Sequence, residues 1–171
     1  MLRVVPTPVH PTRRRRAAEI ISLFRDEMPA GAPATLTLTL EDRTEIDELL
    51  SEYVSLVDDR RWSELPALFT HEACLKIGRT ELRGRAAISG WATACAAKKP
   101  RRSRHQITNV RIRPAGPDRA TATATIVVHV AKEGRRDTFI DMVGELRDEF
   151  VRSPAGWRFS RRTIVHIADD G

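Results

Sequence analysis

Three side chains in this 171-residue sequence have the types needed to move a proton between them: Tyr53, Asp58 and His105. A histidine accepts and returns protons near neutral pH. A carboxylate beside it can take the other ring N–H, which fixes the tautomer and steadies the imidazolium. A tyrosine hydroxyl can donate to a carbonyl oxygen and stabilise the enolate left when the neighbouring carbon loses a proton. Taken singly, each has an ordinary reading: a core tyrosine, a helix-end aspartate beside Arg60 and Arg61, and a structural histidine opening a strand. His129 is held in reserve, while His71 and His166 read as surface residues. Ser89, Ser103 and Ser160 lack the sequence around a nucleophilic serine, and there is no glycine-rich phosphate loop. No His, Asp or Glu cluster has metal-ligand spacing, so neither a metal nor another cofactor is expected.

The elements that must carry these residues can be read from punctuation and periodicity. Thr39 followed by Glu41 and Asp42 is a helix start, with a hydroxyl cap and acids in the first turn. Ile46, Leu49, Leu50, Tyr53 and Val57 then form an apolar stripe, which stops at Asp58-Asp59-Arg60-Arg61. A carboxylate at Asp58 would face the negative end of the helix dipole, which costs free energy, and held in a cleft it would suit proton transfer. Residues 62–69 are expected as a second short helix with Pro66 in its first turn, and 85–98 as an alanine-rich helix carrying Ile88 and Trp91. Residues 73–77 and 80–82 read as two short strands around Gly78-Arg79. From Ser103 the period becomes two, with Ile107, Asn109, Arg111 and Arg113 set against Thr108, Val110 and Ile112. Strands follow over 120–130, over 137–152 with a bend or bulge near Gly144, and over 157–168, with a hairpin loop at Glu133-Gly134-Arg135. Helices first and long antiparallel strands afterwards predict an α+β domain, one curved sheet wrapped around the N-terminal helices.

Length and composition set the outer limits. A chain of this size with 41% hydrophobic residues is one domain with a real core. Residues 1–38 read as a basic, Pro- and Ala-rich extension and 39–168 as the domain. Within the extension, 15–28 could form a short helix, and Met28 could be the true start. No apolar run is long enough to cross a bilayer, and the N-terminus lacks a secretory core. The two cysteines, Cys74 and Cys95, form no disulfide framework, which points to a cytoplasmic protein. The net charge of +6 raises nucleic acid as a partner. The basic clusters Arg13–Arg16 and Lys98, Lys99, Arg101, Arg102, Arg104 contain no stacking aromatics, however, which argues against it.

Tyr53, Asp58, Trp62 and Leu68-Phe69 together resemble the helical opening of SnoaL-like proteins of the nuclear transport factor 2-like superfamily. The resemblance continues through Leu82-Arg83-Gly84-Arg85-Ala86-Ala87-Ile88, Arg104-His105 with Asn109, and Gly156-Trp157-Arg158-Phe159 with Arg162. It implies a cone-shaped α+β barrel over roughly residues 40–166. In the cofactor-free dehydratase branch, which includes scytalone dehydratase and the bile acid dehydratases, an aspartate ending the first helix pairs with a histidine at the head of a strand. Asp58 and His105 stand at those positions, and Tyr53 matches a tyrosine that holds a substrate oxygen. His129 lies near the place of a second histidine but is one residue out of register, which would turn it to the other face.

The resemblance therefore implies a dehydratase, isomerase or cyclase acting on an apolar cyclic ketone such as a polyketide or steroid-like ring. Trp62, Phe69, Trp91, Asn109 and His129 would contact that ligand. It also implies a homodimer. A non-catalytic binding or scaffold protein, like the small subunits of ring-hydroxylating dioxygenases, is the alternative within the same fold.

Overall fold

The structure, a computed structural model, describes residues 36–99, 101–132, 134 and 137–169. The expected extension over 1–35, including the 15–28 helix, the Arg13–Arg16 cluster and the Met28 start, lies outside the described residues. So do Glu133 and Arg135 of the hairpin loop.

Helix α1 spans Leu40–Asp58 and begins as its sequence predicts. The Asp42 backbone N–H donates to the Thr39 hydroxyl (3.1 Å), and the Thr39 N–H donates back to the Asp42 carboxylate (2.9 Å). This reciprocal pair satisfies two of the N–H groups a helix start leaves open. The inward stripe is Ile46, Leu49, Leu50, Tyr53 and Leu56, all buried, while Val57 is only half-buried. The α-helix expected over residues 62–69 does not form. Residues 59–64 are turns and an irregular link, followed by one 3₁₀ turn at Leu65–Leu68. Pro66 near its start has no N–H to extend a ladder, and Phe69 has already left for the sheet.

Six strands follow or flank helix α2 (Arg85–Ala96): β1 Phe69–Ile77, β2 Thr80–Arg83, β3 Ser103–Gly116, β4 Arg119–Ala131, β5 Thr138–Ser153 and β6 Gly156–His166. Their order is β2-β1-β6-β5-β4-β3, with β2 and β3 as free edges, so the curved sheet stays open. The sheet is mixed, because β1 runs parallel to β6, where only antiparallel strands were expected. That pairing joins distant parts of the chain and leaves no local turn signal to read.

Three irregularities decide which side chains face the helices. In β3, one extra residue lies between Thr108 and Arg111, where Asn109 takes φ 56°. The inner face therefore passes from Ser103, His105 and Ile107 to Val110 and Ile112, and Asn109 does not share the side of Ile107. In β6, Ser160 is the extra residue between Phe159 and Arg161, so Trp157, Phe159, Arg162 and Ile164 are buried together. In β5 the bulge falls at Asp141, between Ile140 and Met142, rather than at Gly144. Gly144 serves a different need: a Cβ there would lie 2.4 Å from the Val165 carbonyl oxygen. The core lies between the two helices and the inner sheet face, centred on Leu50, Tyr53, Phe69, Phe150 and Phe159.

Candidate functional site

Asp58 is the last residue of α1 and β3 begins at Ser103, and the fold brings these two points together. β3 is an edge strand, so its alternate N–H groups point away from β4 and are open to other acceptors. The His105 N–H donates to Asp58 Oδ2 at 2.8 Å. The same carboxylate takes the ring, with His105 Nδ1 lying 2.6 Å from Oδ1, and accepts the Ser103 hydroxyl at 3.1 Å. Three donors thus compensate a carboxylate placed at the wrong end of a helix dipole. The Asp58 side chain is 7% exposed and that of His105 17%. Among the described residues no hydrogen bond engages His105 Nε2.

The connection after α1 is anchored to the end of α2. Arg60 adopts φ 60°, and its guanidinium donates to the carbonyls of Ala96 and Lys98, both at 3.0 Å, tying the loop to the C-terminal end of α2. Trp62 and Trp91 pack edge to face, with ring centroids 5.9 Å apart. Both indoles are half-buried, and Trp62 Nε1 is a buried donor without a partner among the described residues.

Tyr53 lies elsewhere. Five residues along a helix separate it from Asp58 by roughly 7.5 Å in rise and about 140° in rotation. Its ring packs edge-on against Phe69 and Phe159, with the Arg162 guanidinium 4.1 Å from its centroid. Burial pushes the Tyr53 hydroxyl pKa above its ordinary value and Arg162 pulls it partly back, so the group remains a proton donor at neutral pH. Among the described residues no hydrogen bond or ion pair joins Tyr53 to Asp58 or His105; of the three expected residues, the structure pairs two directly.

Beneath Tyr53 is a group that sequence reasoning missed. Arg162 and Asp148 are both fully buried and form a two-pronged pair at 2.9 and 2.8 Å. Arg162 Nη1 has no partner among the described residues. A buried cation with an open N–H is costly, and it supplies a donor for an oxygen in the interior. Arginine and aspartate at matching positions of neighbouring strands were visible in the sequence. The signal was lost because the Ser160 bulge decides which of Arg161 and Arg162 turns inward.

The remaining expected ligand contacts fare differently. Phe69 is fully buried among Tyr53 and Phe159 and is a core residue. Asn109 is exposed, with its amide 3.5 Å from the Thr125 hydroxyl. His129 pairs with Gln106 at 2.9 Å on the outer face, whereas Val128, the partner of His105 across the ladder, is buried on the inner one. The period of two puts His129 out of reach of the His105 side, as its register suggested. A groove of about 1230 Å³ follows the exposed side of α1, past Thr44, Glu48 and Ser51, to Ile112 and Trp157; none of Tyr53, Asp58 or His105 lines it. Among the described residues, no cluster of three or more His, Cys, Asp or Glu is gathered to hold a metal ion, and no helix is long and apolar enough to cross a membrane.

Among the described residues, two α-helices on an open, curved, mixed six-stranded sheet define the α+β class seen in nuclear transport factor 2-like proteins. Residues 38–163 match the SnoaL-like domain, and the chain belongs to that family. An uncharacterized protein of Mycobacterium tuberculosis is 29% identical over 130 residues, 72% of this chain and 84% of the relative. A candidate scytalone dehydratase from Novosphingobium aromaticivorans superposes with a TM-score of 0.66 at 20% identity, covering 74% of this chain and 85% of the other. ActVI-ORFA from Streptomyces coelicolor gives a TM-score of 0.66 at 17% identity, covering 74% and 97%. The β subunit of a candidate aromatic-ring-hydroxylating dioxygenase from N. aromaticivorans gives 0.65 at 22%, covering 72% and 87%. These likenesses establish the fold.

Proposed function

We propose that this protein is a cofactor-independent SnoaL-like enzyme that performs acid–base proton transfer on an apolar cyclic ketone, as a dehydratase, isomerase or cyclase. The observation that carries the reading is the partly buried Asp58–His105 pair, 2.6 Å apart, with no hydrogen bond to His105 Nε2 among the described residues. His105 Nε2 takes the proton from the carbon beside the carbonyl, and the C–H electron pair moves onto the carbonyl oxygen as an enolate. Asp58 holds the resulting imidazolium. Tyr53, backed by Arg162, donates to the enolate oxygen from the interior end of the site. If a hydroxyl sits on the next carbon, the enolate expels it and His105 returns its proton to the departing oxygen, giving water and an enone. Reprotonation at another carbon instead gives an isomer, and attack on an internal carbonyl gives a ring. Trp62 and Trp91 favour a flat, apolar ligand. The protein works as a homodimer in the cytoplasm in this reading.

A second reading, a non-catalytic binding or scaffold protein, is favoured by the structural likeness to the dioxygenase β subunit. One assay separates the two. Wild type, His105→Ala and Asp58→Asn are tested against hydroxylated polycyclic ketones. Turnover by wild type that both substitutions abolish supports the enzyme. Turnover fully retained by both variants sinks the assignment, and ligand binding without turnover supports the second reading.

A further inference from the structure

We infer that Ser103 is a positioning residue for the Asp58–His105 pair: its hydroxyl pins the carboxylate in the orientation that holds the His105 ring by Nδ1 and leaves Nε2 free. The inference rests on the reading of that pair as the proton-transfer site. Ser103 and His105 are two apart on one strand and so share a face. Asp58 meets both from the end of α1. An aspartate's terminal torsion is broad and roughly two-fold, so a carboxylate at a helix end does not fix its own oxygens in space. The His105 N–H holds the carboxylate from one direction, through Oδ2 at 2.8 Å. The Ser103 hydroxyl donates to that oxygen at 3.1 Å, the same atom that the ring N–H reaches at 2.6 Å. Oδ1 is thereby held from a second direction, and the ring is held through it. A serine that looked inert for want of a nucleophile context acts through its neighbour.

The consequence can be read without a known substrate. A ring N–H held this tightly by a carboxylate gives a proton resonance far downfield of the backbone amides and exchanges slowly with water. In the full-length ¹⁵N-labelled protein, His105→Gln assigns the resonance and Asp58→Asn removes it. Ser103→Ala keeps it but speeds its exchange about tenfold, the equivalent of losing one hydrogen bond to a charged group. Ser103→Thr restores the hydroxyl and brings exchange back to within about twofold of wild type. Core amides on β5 and β6 keep their wild-type protection throughout. Unchanged ring exchange in Ser103→Ala, no recovery in Ser103→Thr, or an equal acceleration of the core amides overturns the role of Ser103. A resonance that survives Asp58→Asn refutes the pairing itself, and the two failures are told apart by which variant shows them.

Discussion

Helix α1 carries an aspartate with a little-exposed side chain in its first turn, Asp42, and another as its last residue, Asp58, and the two have opposite fates. At the N-terminal end Asp42 is 3% exposed and reaches residues more than a hundred positions away. It accepts the Thr39 N–H at 2.9 Å, Trp157 Nε1–H at 3.2 Å and the Arg152 guanidinium, which also lies 4.8 Å over the Trp157 ring. Burial pushes its carboxyl up, but the hydrogen bonds from Thr39, Trp157 and Arg152 outweigh this and bring its pKa from 3.8 to about 2. The helix dipole favours an anion there as well. At the C-terminal end Asp58 faces an unfavourable dipole, and its neighbours are a serine, a backbone N–H and a histidine that can gain or lose its charge. The lesson is one of unspent capacity. Asp42 is matched by a permanent cation and locks the helix to the β5–β6 hairpin. Asp58 is matched by a histidine whose far nitrogen makes no hydrogen bond among the described residues.

The contrast can be broken most severely at the histidine. On the proposed function, His105→Ala should lower turnover about 10²- to 10⁴-fold, read as kcat, with urea unfolding close to wild type. At the other end, Asp42→Ala should leave kcat per folded molecule unchanged while lowering stability. It strands Arg152 and the Trp157 N–H, a loss of about 2–4 kcal/mol by urea denaturation.

A milder test uses pH. Because the folded-state pKa of Asp42 lies below its ordinary value, its contribution is fully present above about pH 3.8 and disappears as pH falls through about 2. The stability gap between wild type and Asp42→Asn should therefore shrink from pH 5 towards pH 2 (roughly the window of that titration). A gap that stays constant across this range contradicts the network. Smallest of all, Thr39→Ala removes only the cap hydroxyl and should cost about 1 kcal/mol without touching turnover.

Legibility in the sequence followed the same division. The N-terminal end of α1 was readable because a capping box is a local pattern, Thr39 with Asp42. The apolar stripe was equally plain. The C-terminal end was readable only as residue types, since nothing local says that Asp58 and a histidine 47 positions later meet. The family likeness supplied that link. What escaped were features set by single inserted residues. The Asn109 bulge turned an expected ligand contact outward, and the Ser160 bulge turned Arg162 inward. Alternation carries no marker of where it slips. The parallel β1–β6 pairing and the collapse of the predicted second helix into a 3₁₀ turn were hidden for a related reason, being decided by distant contacts.

The central claim is that the two aspartates of α1 divide structure from chemistry. It is tested most directly by measuring kcat per folded molecule for Asp58→Asn and Asp42→Asn side by side. A loss of about 10²-fold or more in Asp58→Asn, with Asp42→Asn within about twofold of wild type, is the predicted result. Equal turnover in the two variants would contradict it.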